Sequence, residues 1–462
     1  MQRFLFHAKQ AFGRLSRPLV GLFFLTGCAT HEALPQPTPA ANVSSPTAVT
    51  IGPGESPLTL FTVEQAIERA EAFNPQIHSL RQAVVIAKQR KSAASDIQDP
   101  EALEAWGNLA DEFGDSGDPS NTKNYWRTGA RFYVPNPFLM VPRVSARSSE
   151  ILAAQADLQA ASWLVECDVR RSFGEVNYLA EDTALAEDLV RENGEILRDV
   201  RSRKEQGAAT ASEVVSAAEK QLQAQNDLDQ TLHRYHLAQR DLAGQLGLPP
   251  ASLRIATNAP PPEALPATAL QVDPLENFAL RCRGDITALH WRTLAATSAF
   301  HEGRNVRIPW LNELTTWYRE PSAEWWLGVK VTIPIFSWTR NHASDVLLAQ
   351  CRLASVNETN GVVLVHREIQ DALDELADRR RQQARNLSEV VPLLAEMRQT
   401  LQVLKSTPNL MPTQIAATEA QILEASRLEL ASRWQYQLAL LNLERVVGGP
   451  LSAVSEATTK KP

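Results

Sequence analysis

Hydrophobic and polar positions change period several times along this chain, and each change marks an element. The first 17 residues carry Arg3, Lys9, Arg14 and Arg17 with no acid, and residues 18–25 follow as an apolar core too short to span a bilayer as a stable helix. That is the pattern of a secretory leader removed on export. Residues 31–57 are rich in Pro, Ser, Thr and Ala without periodicity, which predicts an extended tether. Order is expected from Thr62, because Thr62-Val63-Glu64-Gln65 has the spacing of a capping box. The helix it opens should break at Asn74-Pro75, since proline disfavours helix in the residue before it. A second Pro-rich connector, residues 248–272, divides the chain almost in half.

Strict alternation predicts strands. Val329, Val331 and Ile333 share one face while Lys330 and Thr332 share the other, and Ala130, Phe132 and Val134 stand in the same way against Arg131 and Tyr133. Residues 103–109 and 307–318 are the expected partner strands, joined through polar Gly/Pro segments at residues 111–119 and 320–322 that read as hairpin tips. Trp106, Trp126, Trp310, Trp317, Trp325 and Trp326 crowd these strands. Such rings concentrate at membrane interfaces, though a soluble sandwich core would also use them. Four strands cannot close around a pore, so a membrane reading requires several chains to share one barrel.

Two stretches switch to helical period and stay there. Residues 144–206 and 342–405 contain no proline before Pro392 and no turn cluster, which predicts rods of about 90 Å at about 1.5 Å per residue. The returning helix of the second half alternates steps of three and four at 415, 418, 422, 425, 429, 432, 436, 439, 443 and 446, the spacing of a coiled-coil seam. Leu228, Leu232, Tyr235, Leu242 and Leu246 mark a similar stripe in the first half. Small and polar residues on the seam favour close-packed helices with more than one neighbour; a solvated coiled-coil spacer is the alternative.

The elements recur in order. Residues 129–135 align with residues 328–334 at an offset of 199 (334 − 135), and Leu246-Gly247 aligns with Val447-Gly448. Asp273-Pro274-Leu275-Glu276 is expected to repeat the cap of Thr62 to Gln65. Together these give an internal two-fold repeat, each copy reading helix, two strands, very long helix, turn, long helix. The divisions are residues 1–27 leader, 28–57 tether, 58–247 first repeat, 248–272 connector, 273–448 second repeat and 449–462 tail.

Composition narrows the function. Hydrophobic residues make up 44% and charged residues 21% of 462, and the formal charge is −7, which becomes −11 once the four basic residues of the leader are removed. A nucleic-acid partner is therefore not expected. Beside Cys28 only Cys167, Cys282 and Cys351 remain, an odd number at wide spacing and no disulfide framework, although one pair could form in an oxidising compartment. No HExxH, GxSxG or P-loop pattern occurs, so neither an enzyme nor a bound cofactor or metal is expected. His233 and His236, three apart, read as solvated helix histidines, and four scattered methionines offer no soft-metal ladder.

Leu25-Thr26-Gly27-Cys28 resembles a bacterial lipobox, which implies cleavage before Cys28 and a diacylglycerol, with palmitate among its acyl chains, on that thiol. Ala29 comes next in place of the aspartate that marks inner-membrane retention, so the resemblance points to the outer membrane. With residues 60–67 and Asn74-Pro75, then residues 328–336, then residues 207–210 followed by residues 242–247, the chain resembles the lipoprotein branch of the TolC-like outer-membrane efflux family. The resemblance covers nearly all of the chain after Pro57. It implies a mainly α fold with a small transmembrane β part: a homotrimer with one shared twelve-stranded barrel in the outer membrane of a Gram-negative bacterium, continuing into a long periplasmic α-helical barrel.

The resemblance also assigns sites. Gly207, Ala208, Ala209 and Thr210 form the first turn between long helices, and Pro408, Asn409 and Leu410 lie in the second, where two prolines replace the usual glycine. Both turns would form the tip that meets a periplasmic adaptor, itself bound to an inner-membrane pump. Arg131 and Lys330, at equivalent polar positions near the barrel base, and Glu213 and Gln414 just past the two turns, are the candidate pore-lining residues. Six cations in a trimer would favour anions slightly. The expected function is passive export of solutes; the alternatives are a lipid-anchored coiled-coil scaffold without a pore and the exit duct of a type I protein secretion system.

Overall fold

Thr62 starts the ordered chain as its sequence context requires. Its hydroxyl accepts the Gln65 N–H at 3.4 Å while Gln65 Oε1 accepts the Thr62 N–H at 3.2 Å, so two otherwise unpaired helix-end donors are satisfied reciprocally. The computed structural model describes residues 60–109, 123–249, 254–255, 271–320, 323–333, 338–406 and 412–454. They lie in one unit that begins at Leu58. Strand β1 (Leu60–Phe61) precedes helix α1 (Val63–Phe73), and Asn74 then caps α2 (Pro75–Ser95) by accepting the N–H groups of Gln76 and Ile77. Strands β2 (Glu101–Leu109) and β3 (Lys123–Tyr133), the long helix α3 (Pro137–Glu205) and the returning α4 (Ala211–Gln245) complete the first half.

The second half keeps the same order: α5 (Val272–Cys282), α6 (Gly284–Asn305), β5 (Trp310–Glu320), β6 (Glu324–Thr332), α7 (Trp338–Arg385), α8 (Val391–Ser406) and α9 (Pro412–Val447). Between the halves, β4 (Arg254–Ile255) pairs in parallel with β1, so the connector is not wholly irregular and order begins two residues before Thr62. The expected cap at Asp273 is corrected. Helix α5 starts at Val272, after Gln271, which makes no side-chain cap bond. Pro274 fits inside the first turn because N–H groups there have no intrahelical acceptor to lose, and Asp273 faces the positive end of the dipole.

The four long strands form one antiparallel sheet in the order β2-β3-β5-β6. The middle pairing, β3 with β5, joins the two halves across the sheet from Trp126–Glu320 to Tyr133–Glu313. Strands of 9 and 11 residues have the length of a tilted transmembrane strand. Neither β2 nor β6 has a second strand partner among the described residues, which leaves a ladder of backbone donors and acceptors at each edge.

The first rod is continuous. At 69 residues α3 spans about 100 Å. It is capped by Asn136 and carries Pro142 within its second turn; proline leaves the Phe138 carbonyl without its donor, and Asn305 Nδ2 supplies one at 2.8 Å. The second rod is not continuous, contrary to expectation. A π-helical turn, Asn386–Val390, separates α7 from α8, with Val391 N–H bonded back to Asn386 O. Pro392 is the cause: its ring crowds the carbonyl four residues earlier, and a wider turn relieves the clash.

Packing is close because the seams are small. Buried Ala217, Ala224, Thr231 and Ala238 recur at intervals of seven on α4; of the expected stripe, Leu242 and Leu246 are buried and Leu228, Leu232 and Tyr235 are half-buried. On α9 the expected seam residues Ile422, Ser432, Ala439 and Leu443 are buried, but so are Ala416, Ala420, Leu430, Trp434, Leu440 and Val447. The helix lies between α3 and α7 and buries two faces. Trp434 stacks on Tyr178 at 5.8 Å and covers Gly174, where any Cβ would come within 2.7 Å of the indole. Two apolar clusters anchor the halves, one around Ile77, Val169, Phe173 and Leu242, the other around Leu275, Ile369, Leu443, Leu451 and Val454.

Candidate conduit wall and helical tip

The two faces of the sheet differ in chemistry, although Trp317 and Trp326 pair on the same face as Arg131 and Lys330. Trp325, Leu327, Val329, Val331 and Ile333 stand on one face of the last strand and its extension, each more than half exposed, with Phe132 and Tyr318 on the same face. The Tyr318 and Trp325 rings meet at 5.0 Å near the hairpin end. An uncovered apolar face of this extent suits a hydrocarbon environment. On the opposite face are Glu101, Arg127, Arg131, Tyr133, Glu313, Thr315, Arg319 and Lys330.

Arg131 and Lys330 are brought together, but not as free cations. Arg131 Nε lies 2.8 Å from Glu313 Oε1 and its Nη1 lies 3.0 Å from Glu101 Oε2, while Lys330 Nζ lies 3.4 Å from Glu313 Oε2. Thr315 and Tyr133 donate hydroxyls to Glu313 and Glu101 at 3.0 and 2.8 Å. The expected slight preference for anions took these two cations as the local charge; in the structure two carboxylates, Glu101 and Glu313, match them. Glu101 and Glu313 are the residues that sequence reasoning missed.

The first helical tip is built by standard termini. Gly207 adopts φ +76°, its N–H bonds to Lys204 O and the next N–H, of Ala208, reaches back to Arg203 O, the left-handed close of a long helix. Thr210 then caps α4 reciprocally with Glu213, whose Oε2 accepts the Thr210 N–H at 3.2 Å. Glu213, exposed at its position, is thereby tied to the turn as a cap. Gly207, Ala208 and Thr210 are exposed, and Ala209 packs against the buried cluster of Leu197, Val200 and Ala217. Gln414 is exposed in the first turn of α9. Cys28, Pro408, Asn409 and Leu410 lie outside the described residues.

Polar locks tie the helices together. Asp182 of α3 and Arg427 of α9 form a bidentate pair that Thr231 of α4 joins. Arg283 bonds Asp285, Glu368 of α7 and the Val446 carbonyl of α9; burial alone would push the Asp285 carboxyl up, and the Arg283 guanidinium outweighs it and holds it low. Burial also pushes the Glu192 carboxyl up, and a hydrogen bond with Glu419 across α3 and α9 adds to the shift. Cys167, Cys282 and Cys351 are all free, and burial pushes the Cys167 thiol up to about 12, which makes it unreactive. His233 and His236 are exposed, and no metal-binding group of three or more such side chains occurs among the described residues. No described helix is long and apolar enough to cross a membrane.

This arrangement of two hairpins in one sheet, each running into a rod and a returning helix, is the fold of outer-membrane channels, and it bears out the resemblance to the TolC-like efflux family. Aligned with the outer-membrane channel CmeC of Campylobacter jejuni, the chain gives a TM-score of 0.66 at 14% identity, covering 86% of this chain and 89% of that one. Against the outer membrane protein VceC of Vibrio cholerae the TM-score is 0.65 at 16% identity, covering 84% and 96%. In sequence the chain is 23% identical over 410 residues to the multidrug resistance outer membrane protein MdtQ of Escherichia coli O157:H7, covering 79% of this chain and 83% of that protein. No protein-family model matches the chain.

Proposed function

We propose that this protein is the outer-membrane exit duct of a tripartite efflux system, passing solutes passively from an inner-membrane pump and periplasmic adaptor to the outside. The observation that carries the reading is the sheet: four strands with two open edges, one apolar exposed face and one polar face, attached to rods of about 100 Å. A sheet of this kind completes its hydrogen bonds in a bilayer only by closing with others. Three copies supply twelve strands, enough for one barrel, and the helices then form the wall of a periplasmic tunnel. The matched element order of the halves reads as a duplicated unit, which spaces the strand pairs and rods evenly around such a ring. Cys28 carries the lipid anchor, and the tips around residues 207–210 and 408–410 meet the adaptor. The chain does no chemistry of its own; the curated relative MdtQ is named for multidrug resistance, and export of small solutes accords with that.

Electrophoresis of the detergent-extracted protein without heating tests the assembly. A species of three chains that collapses to one on boiling is expected; a monomer under both conditions overturns the reading.

A further inference from the structure

We propose that Glu313, delivered to the polar face by a β-bulge at Asn312, sets the ion selectivity of the passage by cancelling the charge of Lys330, one of the two cations that converge on it. The proposal rests on the exit-duct reading. Leu311 pairs with Val331, and an unbroken register would then set residue 313 opposite Val329, on the apolar face. Instead Glu313 pairs with Lys330, because Asn312 is the extra residue of a bulge. The bulge is fastened on both sides: Asn312 O accepts the Val134 N–H at 3.0 Å, and the Asn312 amide donates to the Thr332 hydroxyl. One inserted residue thus moves a carboxylate from the lipid-type face to a position between Arg131 and Lys330.

Exposure shows what that carboxylate controls. The Glu313 side chain is 12% exposed and the Lys330 side chain 68%, so the acid is recessed while the ammonium reaches outward. Glu101 already engages Arg131 and Tyr133, so Glu313 alone partners Lys330 among the described ion pairs. Removing its charge leaves one uncompensated cation per chain, three in a trimer, on the wall that permeating ions pass.

The test is the reversal potential of the purified full-length protein in a planar bilayer under a potassium chloride gradient, at low salt because screening weakens wall charges. Glu313→Gln should lower the potassium-to-chloride permeability ratio about twofold or more, Lys330→Gln should raise it, and the double variant should return close to wild type. A Glu313→Gln channel with the wild-type ratio, or a double variant that does not return, overturns the proposal while leaving the duct reading intact. Should Glu313→Gln fail to assemble, the exposed Lys330→Gln decides alone, and an unchanged ratio overturns it. If the wild-type protein forms no channels, the duct reading falls and this proposal with it.

Discussion

Arg427 of α9 grips Asp182 of α3 with two parallel contacts, Nε to Oδ1 at 2.6 Å and Nη2 to Oδ2 at 3.1 Å. The pair joins the returning helix of the second half to the rod of the first, and both side chains are largely withdrawn from water. Removing one partner strands the other, so Arg427→Ala should cost roughly 3 kcal/mol, whereas replacing both with apolar residues of similar volume should cost much less. A double-mutant cycle on unfolding of the solubilised protein measures the difference. Equal and additive losses would show that the pair is not a lock.

Glu192 makes stability pH-dependent in a defined direction. Burial, and then the hydrogen bond with Glu419, raise its affinity for a proton in the folded protein. Above the ordinary glutamate value of about 4.3, the folded state holds more protons at this site than the unfolded chain. Its contribution is therefore fully present below that value and is lost as pH rises through the raised one. Glu192→Gln should remove this loss, so that the variant gains stability relative to wild type between acid and neutral pH. A difference that does not change with pH would contradict the account.

Gly129 and Gly328 occupy equivalent places in the two halves but tolerate different things. A Cβ at Gly129 would press into the Thr316 carbonyl oxygen and come within 3.0 Å of the Trp317 ring, while one at Gly328 would rest 3.6 Å from Thr315 Cβ. Gly129→Ala should reduce the oligomer seen on unheated gels, because it wedges apart the β3–β5 pairing that unites the halves; Gly328→Ala should not. Equal behaviour of the two would sink this reading of the wall.

At the tip, Gly207→Ala forces a side chain into a left-handed turn and should cost about 1 kcal/mol, and Thr210→Ala should cost a similar amount through loss of the cap. Both residues are exposed, so thermal unfolding should shift only slightly, while crosslinking to the adaptor should fall if the turn is a docking surface. Unchanged crosslinking in both variants would remove the tip from the contact.

Local signals were legible and long-range ones were not. Thr62 with Gln65, Asn74 with Pro75, and Gly207 act within a few residues, and each stands where its sequence context placed it. Alternation exposed the two faces of the sheet around Lys330, but not the position of Glu313, because a single bulge inverts the parity on which alternation depends. Asp182 and Arg427 are 245 residues apart, and nothing in either segment announces the other. Helical period continues past Pro392, so the pattern predicted one rod; the structure meets the proline with a π-helical turn and not an end to the helix. The seam of α9 was half right because a heptad stripe marks one face, and this helix buries faces against α3 and α7.

The most direct measurement is ion conductance of the purified, detergent-extracted protein in a planar bilayer, alongside its oligomeric state. The account predicts small discrete conductance steps from a trimeric species. No conductance from a monomer that stays soluble once Cys28 is replaced would mean that the strands do not share a barrel, and a lipid-anchored helical scaffold would take the place of the duct.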